Sequence, residues 1–296
     1  MKILLIGGSG QVGSEVIAVC ETNNIECISP SSSELNIIEG HSINSVIEKS
    51  LPLNFIVNAS AYTAVDKAED EPELAFSINR YGPQLLAEAC AKYEIPLLHI
   101  STDYVFDGNA DRPYKEDDPT QPLGVYGQSK LEGEQAVRAC LPEHIILRTA
   151  WVYGSQGNNF VKTMLRLGKQ HEQLKIVSDQ FGCPTAAVDI AMAIISIITQ
   201  MHTQPKERWG TYHYCSEGET NWSSFAQAIF SEAELINADY RSVSVIPIPS
   251  SEYPTKAARP SYSVLDCSKI EHTFLITLPN WFTSLQRDIP NILKNM

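Results

Sequence analysis

The feature that most constrains the fold lies at the start of the chain, where a glycine-rich loop joins an apolar run to a helical one. Lys2–Ile6 is apolar without alternation, which is typical of a parallel strand buried on both faces. In the loop that follows, Gly7 permits a tight turn, Gly10 lets the backbone approach a pyrophosphate, and Gly13 lets helix and strand pack closely. The helix from Ser14 would point its N-terminus at the phosphates. The sequence therefore predicts a dinucleotide-binding unit.

Short apolar runs and helical runs alternate along the first half of the chain. We predict further strands and helices at the following positions: strands at 25–29, 54–59, 97–101 and 145–148, and helices at 14–22, 41–50, 73–93 and 128–140. This alternation predicts an α/β fold with a Rossmann-like doubly wound parallel sheet.

The pattern changes after Asn158, where the alternation is less regular and prolines become frequent. We predict a smaller, discontinuous C-terminal part that binds substrate and covers the catalytic edge of the sheet. Residues 1–156 would be mainly the dinucleotide-binding domain. Residues 157–296 would be mainly the substrate-binding part, with some segments returning to the main sheet.

Composition excludes several classes of protein. The 296 residues carry a formal net charge of −13, which argues against a general binder of nucleic acid or of anionic membranes. Seven dispersed cysteines without a Cys-x-x-Cys pair are typical of free thiols in a reducing compartment, so we expect a cytoplasmic protein. The most apolar later run, 190–198, is too short to span a bilayer and predicts a core helix. The histidines show no ligand spacing, so we expect no metal site.

A tyrosine and a lysine four residues apart carry the predicted chemistry. If 128–140 is helical, Tyr126 and Lys130 rise from one face of the helix. A phenol has a pKa of about 10 in water, and a fixed ammonium one turn away lowers it. Such a tyrosine can give a proton to a carbonyl oxygen while hydride reaches the carbon. Thr102 leaves the fourth predicted strand on the same edge as the glycine loop, where its hydroxyl can orient the carbonyl.

Other candidate binding residues follow the ends of the predicted strands. Ala61-Tyr62-Thr63 follows the third strand and is placed to line a cofactor. Asn79 is either a polar residue on a helix surface or a contact near the nicotinamide ribose. Trp151, after the fifth strand, is either a core anchor or a flat wall for a sugar or base. Arg259 is the best cation for a substrate pyrophosphate, because a guanidinium can bind it with paired hydrogen bonds.

The segment after the second predicted strand bears on the choice of cofactor. An acidic residue there would bind a free ribose 2′-hydroxyl, whereas a basic one would bind a 2′-phosphate. This segment, Ser29-Pro30-Ser31-Ser32-Ser33, has neither. Serine hydroxyls can hydrogen-bond a phosphate and no carboxylate within the segment repels it, so we expect NADPH. NADH stays as the alternative, because a polar loop can also bind the two cofactors without preference.

Together these segments resemble the extended short-chain dehydrogenase/reductases, and within them the branch that completes dTDP-L-rhamnose synthesis. The likeness covers nearly the whole chain and is carried by these runs: 7–13, 58–69, 101–108, 126–130, 148–154, 179–185 and 259–260. The run Ser-Thr-Asp-Tyr-Val-Phe-Asp-Gly at 101–108 discriminates better than the glycines, which the whole superfamily shares.

The resemblance implies reduction of the 4-keto group of dTDP-4-dehydro-6-deoxy-L-mannose to dTDP-L-rhamnose by NADPH or NADH. It implies that Tyr126 is the general acid, that Lys130 lowers its pKa and holds the nicotinamide ribose, and that Thr102 orients the keto group. Thr102, Asp103 and Trp151 would line the substrate. The cofactor contacts would be made by these residues: Gly10, Gln11, Val12, Ala61, Tyr62 and Thr63.

Two positions depart from the pattern of these relatives. Asn36-Ile37 stands where an aspartate often lies near the adenine, which weakens that contact as an inference. Val188 stands where some relatives place a glutamate linked to a magnesium-bridged dimer, and Asp189 would point elsewhere on a helix. We therefore do not transfer the metal to this chain, and a homodimer stays open.

Three alternative functions also fit parts of the pattern. One is another nucleotide-sugar 4-ketoreductase, epimerase or dehydratase of the same fold, although Thr102-Asp103 offers one acid where a dehydratase needs a pair. Another is a non-catalytic regulatory subunit resembling the beta subunit of methionine adenosyltransferase, which an intact Tyr126 and Lys130 do not exclude. The third is a nucleotide-binding scaffold without chemistry, which the presence of all three catalytic candidates disfavours.

Overall fold

Parallel strands form the centre of the molecule. The computed structural model describes residues 1–204, 208–241 and 243–296. Among these residues the strands, in chain order, are β1 (Lys2–Ile6), β2 (Glu26–Ile28), β3 (Phe55–Asn58), β4 (Leu97–Thr102), β5 (His144–Thr149), β6 (Val152–Tyr153), β7 (Gln173–Val177), β8 (Phe181–Gly182), β9 (Thr185–Ala186), β10 (Gly210–His213), β11 (Thr220–Asn221) and β12 (Ser244–Ile248). The helices are α1 (Gln11–Thr22), α2 (Gly40–Ser50), α3 (Val65–Ala68), α4 (Pro72–Phe76), α5 (Gly82–Tyr93), α6 (Val125–Cys140), α7 (Phe160–Gly168), α8 (Ala187–Thr203), α9 (Trp222–Ile236), α10 (Ser268–Phe274) and α11 (Trp281–Lys294).

The main sheet confirms the predicted α/β class. Within the described residues it has six strands in the order β10-β5-β4-β3-β1-β2, and every neighbouring pair is parallel. The chain order reverses between β3 and β1, because β2 lies on one side of β1 and the later strands lie on the other. Open α/β sheets bind ligands at this reversal, outside the carboxyl ends of the strands.

Alternate residues of β1 show why the sheet needs helices on both faces. Ile3 and Leu5 pack into one apolar core, whereas Leu4 and Ile6 pack into a second core on the opposite face. The first core includes the predicted apolar helix, which lies within α8 and is largely buried. Fully apolar strands such as β1 are the expected result of this double covering.

The C-terminal half forms a third apolar core and also contributes to the main sheet. Residues of α7, α9 and α11 form this core beside the parallel pair β7 and β12. Strand β10, which lies beyond position 157, pairs in parallel with β5 at the edge of the main sheet. Within the described parts of the chain, no helix is both long enough and apolar enough to cross a membrane.

The predicted helix 73–93 is interrupted in the structure. A π-helical turn at Ser77–Tyr81 separates α4 from α5. A π turn inserts an extra residue into the helix, and such turns often lie at functional sites. Here the turn places Asn79 in the interior, with 1% of its surface exposed.

Candidate active site

A cavity of about 570 Å³ opens at the carboxyl ends of β1, β3, β4 and β5. The following predicted site residues line it: Gly10, Gln11, Val12, Ala61, Thr63, Thr102, Asp103, Tyr126, Lys130 and Trp151. Gly7, Gly13, Tyr62, Asn79 and Arg259 lie outside its wall. The arrangement follows from the parallel sheet, because the loops that leave neighbouring strands meet at one edge.

The glycine loop packs too closely to accept side chains at two of its three positions. Gly7 has φ +86°, and a Cβ there would lie 2.6 Å from Ser60 N. A Cβ on Gly13 would lie 2.1 Å from Gly7 O, so neither position accepts a side chain. Gly10 differs, because its Cβ would lie 3.3 Å from Gly7 O, a tight contact that a small shift could relieve, and Gly10 lines the cavity. Gly10 is also the N-cap of α1 and provides no side-chain cap, so the helix N-terminus presents its backbone N–H groups to the cavity.

The catalytic helix begins earlier than predicted, at Val125, so that Tyr126 lies in its first turn. The helix has no side-chain cap of its own at Gly124. Instead Glu69 reaches across from the end of α3, and its Oε1 accepts a hydrogen bond from Val125 N at 2.9 Å. Gly127 permits close approach to the strand-end loop, because a Cβ there would lie 2.2 Å from Tyr104 O. These long-range contacts fix the start of α6.

Burial controls the acidity of the two catalytic candidates. It raises the pKa of Tyr126 to about 12, against a smaller lowering effect of the Thr102 hydroxyl. Burial lowers the pKa of Lys130 to about 8, while Glu134 acts in the opposite direction. The Lys130 ammonium donates to Ile100 O at 2.7 Å. The resemblance implies that Lys130 lowers the pKa of Tyr126, but in the protein without cofactor this pKa is raised. Tyr126 is therefore a protonated phenol at neutral pH.

Thr102 and Asp103 form a buried polar pair beside the tyrosine. Thr102 Oγ1 donates to Asp103 Oδ1 at 3.0 Å and accepts from Tyr104 N at 3.2 Å. Asp103 Oδ2 has no hydrogen-bond partner among the described residues, although the side chain is 2% exposed. Burial raises the pKa of Asp103 to about 6. Asp103 belongs to the cavity wall, but this oxygen is itself buried, and the Ser263 hydroxyl partly offsets the effect of burial on the carboxyl.

Trp151 forms an aromatic wall with a residue that the sequence did not indicate. It adopts a left-handed backbone conformation, with φ +46°. Its ring stacks on Trp222 with centroids 3.4 Å apart and planes 5° from parallel. On the β8 side the ring lies against Gly182, where a Cβ would come within 2.5 Å of it. Both tryptophans line the cavity, and no local signal in the sequence pairs Trp222 with this site.

Asn79 is not a polar residue on the helix surface, because its side chain is buried and hydrogen-bonded within the protein. Its contact near the nicotinamide ribose stays a prediction. Its Oδ1 accepts from Tyr62 N at 2.8 Å, and its Nδ2 donates to Tyr62 O and to Ser129 Oγ, both at 3.0 Å. The π turn directs the side chain inward instead of leaving it on the helix surface. Asn79 thus fastens the loop after β3 to the catalytic helix from behind the cavity.

Arg259 is held by an acidic segment outside the cavity. Its Nη2 donates to Asp66 Oδ2 at 2.8 Å, and Asp66 Oδ1 accepts from Ala257 N at 3.1 Å. Lys256 pairs with Asp70 in the same way. The ion pair leaves 28% of the Arg259 side chain exposed. A pyrophosphate contact by Arg259 stays a prediction, since it requires this residue to leave Asp66.

The serine segment after β2 lies against the glycine loop but has a carboxylate next to it. A Cβ on Gly8 would lie 1.9 Å from Ser29 Oγ. Ser31 donates from its N and from its Oγ to Glu34 Oε2, both at 2.8 Å. These bonds lower the pKa of the exposed Glu34 carboxyl. The segment itself holds no carboxylate, but Glu34, one residue beyond it, brings one against Ser31.

The positions considered for a metal are engaged within the protein. Val188 packs against the third core. The buried Asp189 accepts from Ser284 Oγ and from Arg287 Nη1, both at 2.6 Å. In the described ranges, no group of three His, Cys, Asp or Glu side chains is placed to hold a metal ion.

Comparisons with known proteins agree with this geometry. Residues 1–293 match the family described as the RmlD substrate binding domain. The dTDP-4-dehydrorhamnose reductase of Sinorhizobium fredii is 44% identical over 288 residues, which cover 97% of this chain and 96% of that protein. The crystal structure of a dTDP-4-dehydrorhamnose reductase from Clostridium acetobutylicum covers 100% of both chains at 40% identity, with a TM-score of 0.91.

A second solved structure adds a ligand. The dTDP-4-dehydrorhamnose reductase of Bacillus anthracis, in complex with NADP, is 34% identical, covers 98% of both chains and has a TM-score of 0.90. A UDP-glucose 4-epimerase from Thermus thermophilus, at 17% identity and a TM-score of 0.80, shares the fold alone. The chain belongs to the dTDP-4-dehydrorhamnose reductase family.

Proposed function

We propose that this chain uses NADPH or NADH to reduce the 4-keto group of dTDP-4-dehydro-6-deoxy-L-mannose, which gives dTDP-L-rhamnose. The observation that carries the proposal is the meeting of Thr102, Tyr126 and Lys130 in one cavity beside the glycine loop. The activity named for the relatives supports the choice of substrate. The NADP complex of the Bacillus anthracis relative supports a nicotinamide cofactor.

The residues at the reversal of the sheet would hold the cofactor. Gly10, Gln11 and Val12 at the N-terminus of α1 would contact the pyrophosphate, and Ala61 and Thr63, which line the same wall, would contact the rest of the cofactor. A bound reduced nicotinamide would supply the hydride for the carbonyl carbon. Glu34, bonded to Ser31, weakens the case for NADPH from this segment, so both cofactors belong in the assay.

Tyr126 would supply the proton. Its raised pKa of about 12 keeps it protonated at neutral pH, as a donor to the C4 oxygen must be. Thr102 now donates to Asp103, and it would turn its hydroxyl to the same oxygen. Lys130, one turn after Tyr126 and on the cavity wall, would stabilise the negative charge that develops as the proton leaves.

The substrate side of the cavity combines flat and polar surfaces. The stacked Trp151 and Trp222 would contact the sugar or the base, and Asp103, on the same cavity wall, would line the sugar. Arg259 would bind the pyrophosphate after leaving Asp66. The free cysteines support a cytoplasmic location. Sedimentation analysis would test whether the chain forms the homodimer that the sequence leaves open.

The test is NAD(P)H oxidation by the purified chain with the dTDP-4-keto-6-deoxy-L-mannose substrate, with NADPH and NADH compared at equal concentration. We expect turnover that yields dTDP-L-rhamnose. Turnover only with a different 4-keto nucleotide sugar would replace the substrate and keep the reaction. Cofactor binding without turnover of any such sugar would reject the reductase and favour the regulatory-subunit alternative, which co-purification with a methionine adenosyltransferase would then test.

A further inference from the structure

A fully buried histidine lies directly behind the catalytic lysine. His99 is in β4, with 0% of its surface exposed, and it is not part of the cavity wall. Its Nδ1 lies 3.0 Å from Asn58 Nδ2, at the end of β3. Its Nε2 lies 3.4 Å from Lys130 Nζ on α6. The ring thus connects the two central strands to the catalytic helix.

The orientation of Asn58 decides which ring nitrogen carries the proton. Asn58 Oδ1 accepts from the backbone N of Ser60 at 3.0 Å and from Ser60 Oγ at 2.7 Å. A backbone N–H can only donate, so the other end of the amide, which faces His99, must be the NH₂ group. His99 Nδ1 must then accept a hydrogen bond. Burial, followed by Lys130, holds the pKa of His99 well below its usual range, so the ring is neutral and its proton is on Nε2.

This tautomer presents a donor to Lys130 where an acceptor would be expected. An ammonium has three donors and no acceptor, so it cannot form a hydrogen bond with an Nε2–H group. Lys130 satisfies one donor on Ile100 O at 2.7 Å. Its other two protons must find acceptors on the cavity side, since Lys130 belongs to the cavity wall.

We propose that His99 is a positioning residue: as the Nε2–H tautomer fixed by Asn58, it denies Lys130 a second acceptor in the interior and turns the remaining ammonium protons towards Tyr126 and the cofactor. The inference rests on the proposed reductase activity. It deepens that proposal by explaining how the lysine is aimed.

The other groups that face Lys130 do not compete for these protons. Glu134, one turn further along α6, favours the ammonium electrostatically. Its two carboxylate oxygens accept from Arg148 at 2.8 and 2.7 Å, and Oε2 also accepts from Arg138 at 2.7 Å. From β4, Lys130 meets Ile100 O and His99, and on its own helix it follows Tyr126 by one turn.

The first experiment measures the tautomer directly by NMR of ¹⁵N-labelled histidine, without any need for turnover. We expect one ring that stays neutral through neutral pH, with Nε2 protonated and Nδ1 not, and that disappears in His99→Gln. An imidazolium, or a proton on Nδ1, would overturn the proposal. This result stands whether or not the chain reduces the proposed sugar.

The second experiment uses His99→Gln, whose amide oxygen can accept from Lys130. We expect kcat at neutral pH to fall about tenfold with little change in the KM for the sugar, because one ammonium proton is diverted from the cavity. The alkaline limb of the kcat profile, where Lys130 loses its proton, should move to higher pH because the new acceptor stabilises the ammonium. NADPH affinity, measured by fluorescence titration, should fall about tenfold.

A matched control separates this effect from the general cost of replacing a buried histidine. His144 lies on the neighbouring β5, is also buried, and has Nδ1 bonded to Leu141 O at 2.5 Å. Its charge would act on the pKa of His99, but His144 shares no hydrogen bond with Lys130, whose described partners are Ile100 O and His99. His144→Gln should leave kcat, the alkaline limb and NADPH affinity unchanged. If His99→Gln keeps the wild-type values, or if His144→Gln changes them equally, the proposal fails.

Asn58→Asp tests the same idea while keeping the histidine. A carboxylate at position 58 can only accept, so it draws the proton of His99 to Nδ1 and makes Nε2 an acceptor for Lys130. We expect the NMR spectrum to show the exchanged tautomer and kcat to fall as in His99→Gln. An exchanged tautomer together with wild-type kcat and pH profile would refute the proposed role. If the wild-type chain reduces no sugar, the proposed function fails, whereas the NADPH affinities of the variants still test the aiming of Lys130.

Discussion

Replacing the buried carboxyl of Asp103 by an amide should change how stability depends on pH. Burial raises the pKa of Asp103 from 3.8 to about 6. The folded protein then holds this proton more tightly than the unfolded chain does, so stability falls as pH rises through the window between these two values. Once the carboxyl is ionised in both the folded and the unfolded state, this difference in pKa lowers the free energy of unfolding by about 3 kcal/mol. Asp103→Asn has no proton to lose and lacks this penalty.

The assay is urea unfolding of wild type and Asp103→Asn at pH about 4 and about 7.5, on either side of the acidic isoelectric point. The free energy of unfolding of the variant, minus that of the wild type, should increase by about 2 kcal/mol from the lower to the higher pH. Any change in hydrogen bonding with Thr102 that does not depend on pH cancels in this comparison. A difference that stays constant or shrinks would refute the argument that desolvation dominates at Asp103.

Asp118→Asn provides the control of opposite sign. The Arg112 guanidinium holds the pKa of Asp118 at about 2, below its usual value of 3.8. Its contribution to stability is present above the unfolded pKa and is lost as pH falls towards about 2. The Asp118→Asn difference should therefore change little between pH about 4 and 7.5 and should not increase. An increase like that of Asp103→Asn would point to a general effect of charge removal.

Three further predictions concern the catalytic helix and the glycine loop. Tyr126→Phe should keep the fold and NADPH binding while turnover falls about 10²–10⁴-fold, and near-native turnover would reject the proton-donor role. Glu69→Ala should lower kcat about tenfold by releasing Val125 N, and Glu69→Gln, which keeps an oxygen acceptor, should restore most of it in steady-state assays. Gly10→Ala should fold but bind NADPH at least about tenfold more weakly by fluorescence titration. Gly13→Ala should melt at a lower temperature, because its Cβ would lie 2.1 Å from Gly7 O; equal melting of the two glycine variants would contradict this distinction.

The parts of the fold that the sequence predicted correctly depend on local physics. An apolar run without alternation specifies a strand buried on both faces, and β1 is such a strand. The steric need for glycine at position 13 is likewise local, since its Cβ would meet Gly7 O in the same loop, whereas Gly7 is also confined by Ser60, far along the chain. The meeting of Thr102 and Tyr126 at one edge follows from the parallel sheet that these runs specify.

The predictions that were wrong or incomplete depend on contacts between distant residues. Asn79 is buried because its partners are Tyr62 and Ser129, 17 and 50 residues away. Arg259 is engaged by Asp66, 193 residues earlier, and no periodicity reveals such a pair. For His99, as for the other histidines, the sequence offered only the absence of metal-ligand spacing. The partners of His99 are a neighbouring strand and a helix, which spacing cannot show.

The stacked tryptophans give this protein an optical property that follows from their positions in the chain. Trp151 comes directly after β5 of the main sheet, whereas Trp222 begins α9 in the C-terminal half. Indoles stacked with centroids 3.4 Å apart couple their electronic transitions, so their near-ultraviolet circular dichroism depends on the overlap and tilt of the two rings. Sliding of one half of the chain over the other would alter that overlap. The wall of the cavity thus carries an intrinsic spectroscopic reporter of the overlap of these two rings, which requires no attached label.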